Sequence, residues 1–286
     1  MSIAVQHEPA AEITLELRPG RSLAENQRLA ARDLREAARL WRLCWTLGML
    51  DIRLRYRGSM LGPFWLTLST GAMVSAMGVL YSELFHISLH EYLPFLTVSL
   101  VLWGFVATLF AEACTGYTVN EAMIRAIRIP FALYAVRTVL RNLLVLAHNI
   151  VVVVAVDLFV WTGPGIDGLF AIPGLALWFI DSFAIAVLLG ALCARFRDIP
   201  PIVASVVQMS FFVTPVLWKP QLVGAAYQWL LPVNPFYDLL ETIRGPLLGE
   251  IPDATIWLAA LGYSVLLCGA TWFLFARVRG RIAFWI

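Results

Sequence analysis

The stretch LFAIPGLALWFIDSFAIAVLLGALC, residues 169–193, decides the fold class. Its only charged side chain is Asp181. At about 1.5 Å per residue, about 20 apolar residues cross the roughly 30 Å hydrocarbon core of a bilayer as a helix. The apolar positions run continuously rather than alternating, so a helix is expected and not a barrel strand. Working outward, similar stretches lie at about residues 61–85, 93–114, 138–161, 200–218 and 255–277. Composition agrees: 60% of the 286 residues are hydrophobic and 14% are charged, against about 25% charged in a soluble protein. Mean hydropathy is +0.78. Folded in water, such a chain would expose apolar patches that soluble monomers avoid. The expected fold class is an all-α integral membrane protein with six transmembrane helices. Residues 59–286 are read as that transmembrane domain.

The charge map orients the spans. Twenty of the 21 cationic residues are Arg, and Lys219 is the only Lys. Arg53, Arg55 and Arg57 precede the first span, and Arg125 and Arg128 separate the second and third. Arg195 and Arg197 lie between the fourth and fifth, and Arg277, Arg279 and Arg281 follow the sixth. The alternate connections hold Glu83, Glu91, Asp167, Asp238, Glu241, Glu250 and Asp253, with Lys219 and Arg244 as their only cations. The excess of Arg on cytoplasmic loops puts both termini in the cytoplasm, which an even span count also requires.

The flanks carry their own signals. Residues 1–21 are polar and read as a disordered cytoplasmic tail without the apolar core of a cleavable signal. Ser22 followed by Glu25 is a capping box, so a helix is expected from Leu23. Residues 22–58 read as an amphipathic interfacial segment. Leu34, Ala37, Ala38, Trp41 and Trp45 share one face, and Arg32, Arg35, Arg39 and Arg42 share another. Residues 219–253 are too long and too apolar for a plain loop. Asn234 is a good N-cap and Pro235 a good first helical residue. Phe236, Leu239, Leu240, Ile243 and Leu247 then keep a helical stripe. Two short helices dipping into the outer leaflet, a re-entrant hairpin, are expected there.

Catalytic chemistry is excluded by inventory. The single lysine is followed by Pro220, so the chain cannot form a P-loop. GxSxG, CxxC and HExxH are absent, and Cys44, Cys114, Cys193 and Cys268 lack metal-type spacing. No catalytic, cofactor-binding or metal-binding residue is expected in this chain. Polar groups at membrane depth are functional candidates by default. Asp181 lies near the middle of the fourth span and His148 and Asn149 near the middle of the third, so Asp181 is expected to pair with one of them. Phe64, Trp65, Phe211, Phe212 and Trp218 are candidates for stacking on sugar rings, beside their ordinary roles in packing and interfacial belts. The Thr214–Pro215 step is expected to kink the fifth span.

Residues 51–65 read DIRLRYRGSMLGPFW, residues 195–218 RFRDIPPIVASVVQMSFFVTPVLW, and residues 234–249 NPFYDLLETIRGPLLG. Together they resemble the permease subunits of type-2 ABC exporters for polysaccharides, such as O-antigen, capsule, teichoic acid and galactan. The resemblance covers about residue 40 to the end. It implies a homodimer, two copies of a separate cytoplasmic ATPase that holds ATP and Mg, and a channel for an undecaprenyl- or other polyprenyl-linked glycan across a bacterial inner membrane. By position it implies ATPase coupling at Asn120, Glu121, Arg125 and Arg128, with a shorter contact at Arg195, Arg197 and Asp198. Arg53, Arg55 and Arg57 suit a lipid pyrophosphate, because guanidinium matches phosphate oxygens. Partners are thus lipids, glycan and ATPase, with no nucleic acid. Rival readings are a drug or small-lipid exporter, a scaffold or channel, and a polyprenyl-phosphate transferase. The transferase would need metal-binding acids, for which only Asp198 and Glu121 are candidates.

Overall fold

The computed structural model describes residues 22–58, 64–160, 163 and 165–286. The expected tail at 1–21 and residues 59–63 of the first motif lie outside that set. Among the described residues every regular element is helical. Five helical segments are long and apolar enough to cross a membrane: Phe64–Phe85, Leu89–Thr115, Phe131–Val160, Ile166–Arg195 and Ala254–Trp285. The chain is a multi-pass membrane protein.

The amphipathic segment is two helices. α1 (Leu23–Arg39) starts where the capping box predicts, with Ser22 Oγ accepting from the Glu25 amide at 3.2 Å. It ends at Leu40, and α2 (Trp41–Arg55) begins at once. The expected single apolar face is therefore divided. Ala30, Asp33 and Ala37 of α1 are buried, where small side chains let the helix pack closely against its neighbours. Trp41 and Trp45 of α2 stay exposed.

α3 (Phe64–Phe85) and α4 (Leu89–Thr115) form the first long pair. They approach closely at Gly78, where a Cβ would lie 2.5 Å from Leu93 Cδ1. α4 is the central helix, packed by α3, by α6 (Phe131–Val160), α7 (Ala171–Arg195), α8 (Ile199–Val213) and α9 (Pro235–Leu247). The one-turn-and-a-half helix α5 (Glu121–Ala126) joins α4 to α6, α10 (Ala254–Val278) packs on α7 and α9, and the short α11 (Ile282–Trp285) follows it.

The fifth expected span departs from expectation. α8 is only 15 residues long and stops at Val213. Thr214 is extended, with ψ 139°. A proline disfavours helical geometry in the residue before it, so Pro215 terminates this helix instead of kinking it. The irregular backbone that follows is satisfied by side chains from other helices. The Pro215 carbonyl accepts from Arg244 Nη1, and the Leu217 carbonyl from the Tyr92 hydroxyl. Thr214 Oγ1 accepts from Asn234 Nδ2 at 2.9 Å.

The segment between α8 and α10 also differs in part. Its first arm is 3₁₀-helical, at Pro220–Leu222 and Ala225–Val233, rather than α-helical. Pro220, Gly224 and Pro232 deny it the amide ladder and propensity of an α-helix. Its second arm, α9, starts at the expected position, with Asn234 Oδ1 accepting from the Phe236 amide at 3.0 Å. α9 lies directly on α7 at Gly174, where a Cβ would stand 2.6 Å from the Thr242 carbonyl.

Candidate functional site

Two ends of the bundle differ in charge. One, the Arg-rich end, carries Arg55, Arg125, Arg195 and Arg277; the other carries α9 and the 3₁₀ segments.

The polar groups between these ends do not pair as expected. Asp181 Oδ2 accepts from Ser264 Oγ of α10 at 2.7 Å, and its Oδ1 has no partner among the described residues. His148 turns to α3 instead. Its ring meets Phe64 edge-on at 6.4 Å, and its carbonyl accepts from Thr67 Oγ1 at 3.3 Å. Its Nδ1 lies 2.7 Å from the Leu144 carbonyl one turn back. The Asn149 Oδ1 is buried without a partner among the described residues. The correction is one of helix faces: similar depth put these residues level, but Asp181 faces α10 whereas His148 faces α3.

The five aromatic candidates fall into two groups. Phe64 and Trp65 are exposed at the start of α3. Phe211 and Phe212 meet near the end of α8, with ring centroids 5.3 Å apart, and Trp218 donates Nε1–H to the Phe212 carbonyl at 3.2 Å. Phe211 meets Trp103 of α4 at a tilt of 52°, Trp103 touches Phe236 of α9, and Phe236 touches Phe110. Of these rings, Trp103, Phe110, Phe211 and Phe212 line a groove of 610 Å³ between α4 and α8. Its lining is apolar apart from Gln208. Sequence reading missed Trp103, Phe110 and Gln208; the two aromatics stand seven residues, two helical turns, apart on one face of α4, a spacing that would have pointed to them.

The end opposite the Arg-rich one has a buried anchor. Arg244 is fully buried. It donates to Ser99 Oγ at 2.9 Å, to the Pro215 carbonyl and to Glu241, and it lies over the Phe95 ring at 4.6 Å. One side chain thereby ties α9 to α4 and to the residues after α8. Asp238, one turn before Thr242, is also fully buried, and neither carboxylate oxygen has a partner among the described residues. Burial, with the Glu241 carboxylate nearby, pushes its carboxyl up to about 7.

At the Arg-rich end a continuous network joins elements that sequence reading kept apart. Arg55 of α2 pairs with Glu112 of α4. Glu112 Oε2 accepts from Arg141 Nη2 at 2.7 Å and from Asn142 Nδ2 at 2.6 Å, both on α6. Arg141 reaches Asp51 of α2 at 3.4 Å. Asp51 binds Arg137 through two bonds, at 2.5 and 2.6 Å. Arg137 Nη1 donates to Asn120 Oδ1 at 3.0 Å, just before α5. Arg53 and Arg57 remain exposed at the surface beside it.

Asp33 makes a second link at this end. Its carboxylate caps the start of α6, accepting from the Phe131 and Ala132 amides at 3.2 and 2.9 Å, and pairs with Arg279 at 2.7 Å. Two of the expected coupling residues, Arg125 and Arg195, reach Ile286 and Trp285 at the end of the chain. Arg125 pairs with Glu121 at 2.9 Å and donates to the Ile286 carbonyl at 2.5 Å. Arg195 lies over the rings of Phe196 and Trp285, at 5.8 and 5.7 Å. Arg128, Arg197 and Asp198 are exposed.

The model of the ABC-2 type transporter family matches residues 42–248, from α2 through the end of α9. This chain belongs to the ABC-2 type transporter family. The matched region contains both the Arg-rich network and the α4–α8 groove. As an ABC-2 chain it is a transporter membrane subunit rather than an enzyme. It is 24% identical over 238 residues to an O-antigen export system permease of Myxococcus xanthus, covering 82% of this chain and 91% of that one. It is 23% identical over 196 residues to an O-antigen export system permease of Klebsiella pneumoniae, covering 68% of this chain and 75% of that one. A second Klebsiella pneumoniae permease of the same description is 22% identical over 195 residues, again covering 68% and 75%. The family assignment gives the groove and the network a transporter's context.

Proposed function

We propose that this chain is the channel-forming subunit of an ATP-driven exporter that moves a polyprenyl-linked, O-antigen-like polysaccharide out of the cytoplasm. The observation that carries the reading is the similarity to O-antigen export permeases, which extends over 82% of the chain. The geometry supports it. Two copies facing each other across the α4–α8 groove would enclose a conduit walled by Trp103, Phe110, Phe211 and Phe212. Ring faces there give weak, repeated contacts, and conduction needs binding loose enough to leave. α8 together with residues 214–219 forms the sixth crossing, and the segment 219–253 is a re-entrant outer hairpin. The non-helical chain that leads into it is bonded at the Pro215 and Leu217 carbonyls by Arg244 and Tyr92, and at the Thr214 side chain by Asn234, as such chain at membrane depth requires.

The Arg-rich end is then cytoplasmic, with both termini, in a bacterial inner membrane. ATP and Mg belong to two copies of a separate ATPase, because this chain has no P-loop lysine. Asn120, Glu121, Arg125 and Arg128, with Arg195, Arg197 and Asp198, form the surface on which that ATPase docks. Arg53, Arg55 and Arg57 receive the lipid pyrophosphate. Deleting the gene from its host tests the reading: surface glycan is lost and lipid-linked glycan accumulates inside. Unchanged surface glycan overturns it. A second reading, export of a drug or small lipid, draws on the groove itself, whose 610 Å³ lies in the range of pockets of about 300–1,000 Å³ for drug-sized ligands. Normal surface glycan with altered sensitivity to apolar toxic compounds would favour it.

A further inference from the structure

The two functional ends proposed from sequence, the Arg cluster of α2 and the coupling segment at Asn120, are joined by a run of hydrogen bonds, three of whose middle members, Glu112, Arg141 and Arg137, lie outside the quoted motifs. The run is Arg55, Glu112, Arg141, Asp51, Arg137 and Asn120. The geometry points to this run as a relay: when a lipid diphosphate takes Arg55 from Glu112, the network rearranges and shifts the segment that carries Asn120. The relay rests on the reading of α2 as the lipid-diphosphate entrance.

Three features make the exchange workable. First, the network is short of negative charge. Three guanidiniums, from Arg55, Arg137 and Arg141, face two carboxylates, from Asp51 and Glu112. An arriving diphosphate meets an excess of cation rather than a closed pair. Second, Arg55 is the loosest of the three. Its side chain is 42% exposed, against 17% for Arg137 and 21% for Arg141. It is the last residue of α2, with the exposed Arg53 in the same turn and the exposed Arg57 just past the helix end, so phosphate oxygens reach it without opening the bundle. Third, the links beyond it are graded. Glu112 keeps Arg141 and Asn142 when Arg55 leaves, whereas Arg141 holds Asp51 only at 3.4 Å. Glu112 freed on one side draws Arg141 from Asp51. Asp51 and Arg137 then adjust as a pair, and Asn120 Oδ1 follows Arg137.

Asn120 is well placed to convert this into backbone motion. It ends the 3₁₀ turn Thr118–Asn120 and immediately precedes α5. Its own Nδ2 holds the Gly116 carbonyl at 2.7 Å, so its side chain bridges the network to the chain that leaves α4. Asn120, Arg137 and Glu112 are positioning residues: they do not touch the lipid.

The test reads the coupling segment directly. The full chain carries Val119→Cys in a Cys268→Ala background, with an environment-sensitive label at position 119. It is placed in phosphatidylcholine nanodiscs, and undecaprenyl diphosphate or undecaprenol is added. Lipid binding is measured separately by native mass spectrometry. The diphosphate is expected to bind and shift the label, and undecaprenol to do neither. Asn120→Ala and Arg137→Gln keep diphosphate binding and lose the shift. Asn120→Asp retains an acceptor for Arg137 but loses the donor that holds the Gly116 carbonyl, and it is expected to lose the shift as well. Glu112→Gln weakens the hold on Arg141 as well as on Arg55, so it keeps diphosphate binding and loses the shift. A shift that survives in both Asn120→Ala and Arg137→Gln overturns the relay and leaves the entrance reading intact. Equal binding of undecaprenol and its diphosphate overturns both.

Discussion

Two guanidinium centres sit at opposite ends of this bundle and are built on different principles. At the Arg-rich end, three Arg side chains share two carboxylates, and every member is partly exposed. At the other end, Arg244 is wholly buried, with Glu241, Ser99, a backbone carbonyl and the Phe95 ring around it. A shared network with solvent access has alternative pairings of similar energy. A buried, fully coordinated guanidinium has none, because any other arrangement leaves a charge uncompensated. The first arrangement can switch, and the second fixes the α4–α9 junction.

The sharpest way to break this contrast is at Arg244. Arg244→Ala strands Glu241 and two further acceptors in a dry site, and breaking a buried pair costs about 3–5 kcal/mol. Thermal unfolding in detergent should show that loss. Arg244→Lys is expected to recover little, since one ammonium cannot reproduce the guanidinium fork. An Arg244→Ala protein with unchanged unfolding would remove the idea of a rigid anchor. Next in size is Asp33→Ala, which uncaps α6 and releases Arg279. Loss of a capping side chain costs about 0.5–2 kcal/mol, so a smaller fall in unfolding temperature is expected.

A pH profile sharpens the comparison at Asp238. Its carboxyl is raised to about 7 in the folded protein, so the folded state binds the proton more tightly than the unfolded chain. Stability is then greatest at acid pH and falls as pH rises from the unfolded value of about 4 through 7. Asp238→Asn should flatten that fall and raise the unfolding temperature at pH 8. The smallest stability effect belongs to Arg125→Ala at the Arg-rich surface. Exposed pairs such as Glu121–Arg125 contribute roughly 0–1 kcal/mol, so unfolding should barely change. ATPase stimulation in the assembled transporter should fall, and an unaffected rate would detach α5 from coupling.

Periodicity and caps made the helices legible in the sequence. Ser22, Asn234 and Pro235 mark helix starts that the structure places there, because a cap acts within four residues of itself. The partners of the charged residues were not legible. Asp33 meets Arg279 across 246 positions and Arg137 meets Asp51 across 86, and no local pattern encodes such a pairing. One signal was available. The rule that draws attention to Asp181 applies equally to Glu112 and Arg141, charged residues inside the expected second and third spans, near their ends. The expected pairing of Asp181 with His148 or Asn149 gave way to one with Ser264 for the complementary reason. Depth along a helix follows from counting residues, but the face presented depends on which neighbour the helix meets.

The brevity of α8 reaches beyond the protein. Fifteen α-helical residues rise only about 22 Å, whereas the hydrocarbon core is about 30 Å thick. In the proposed crossing, residues 214–219 supply the remainder as non-helical chain, so the lipid ring beside α8 meets its poorest thickness match there. On that reading the mismatch is greatest next to the groove. Activity should therefore track acyl-chain length, with shorter chains relieving a mismatch that longer ones enforce.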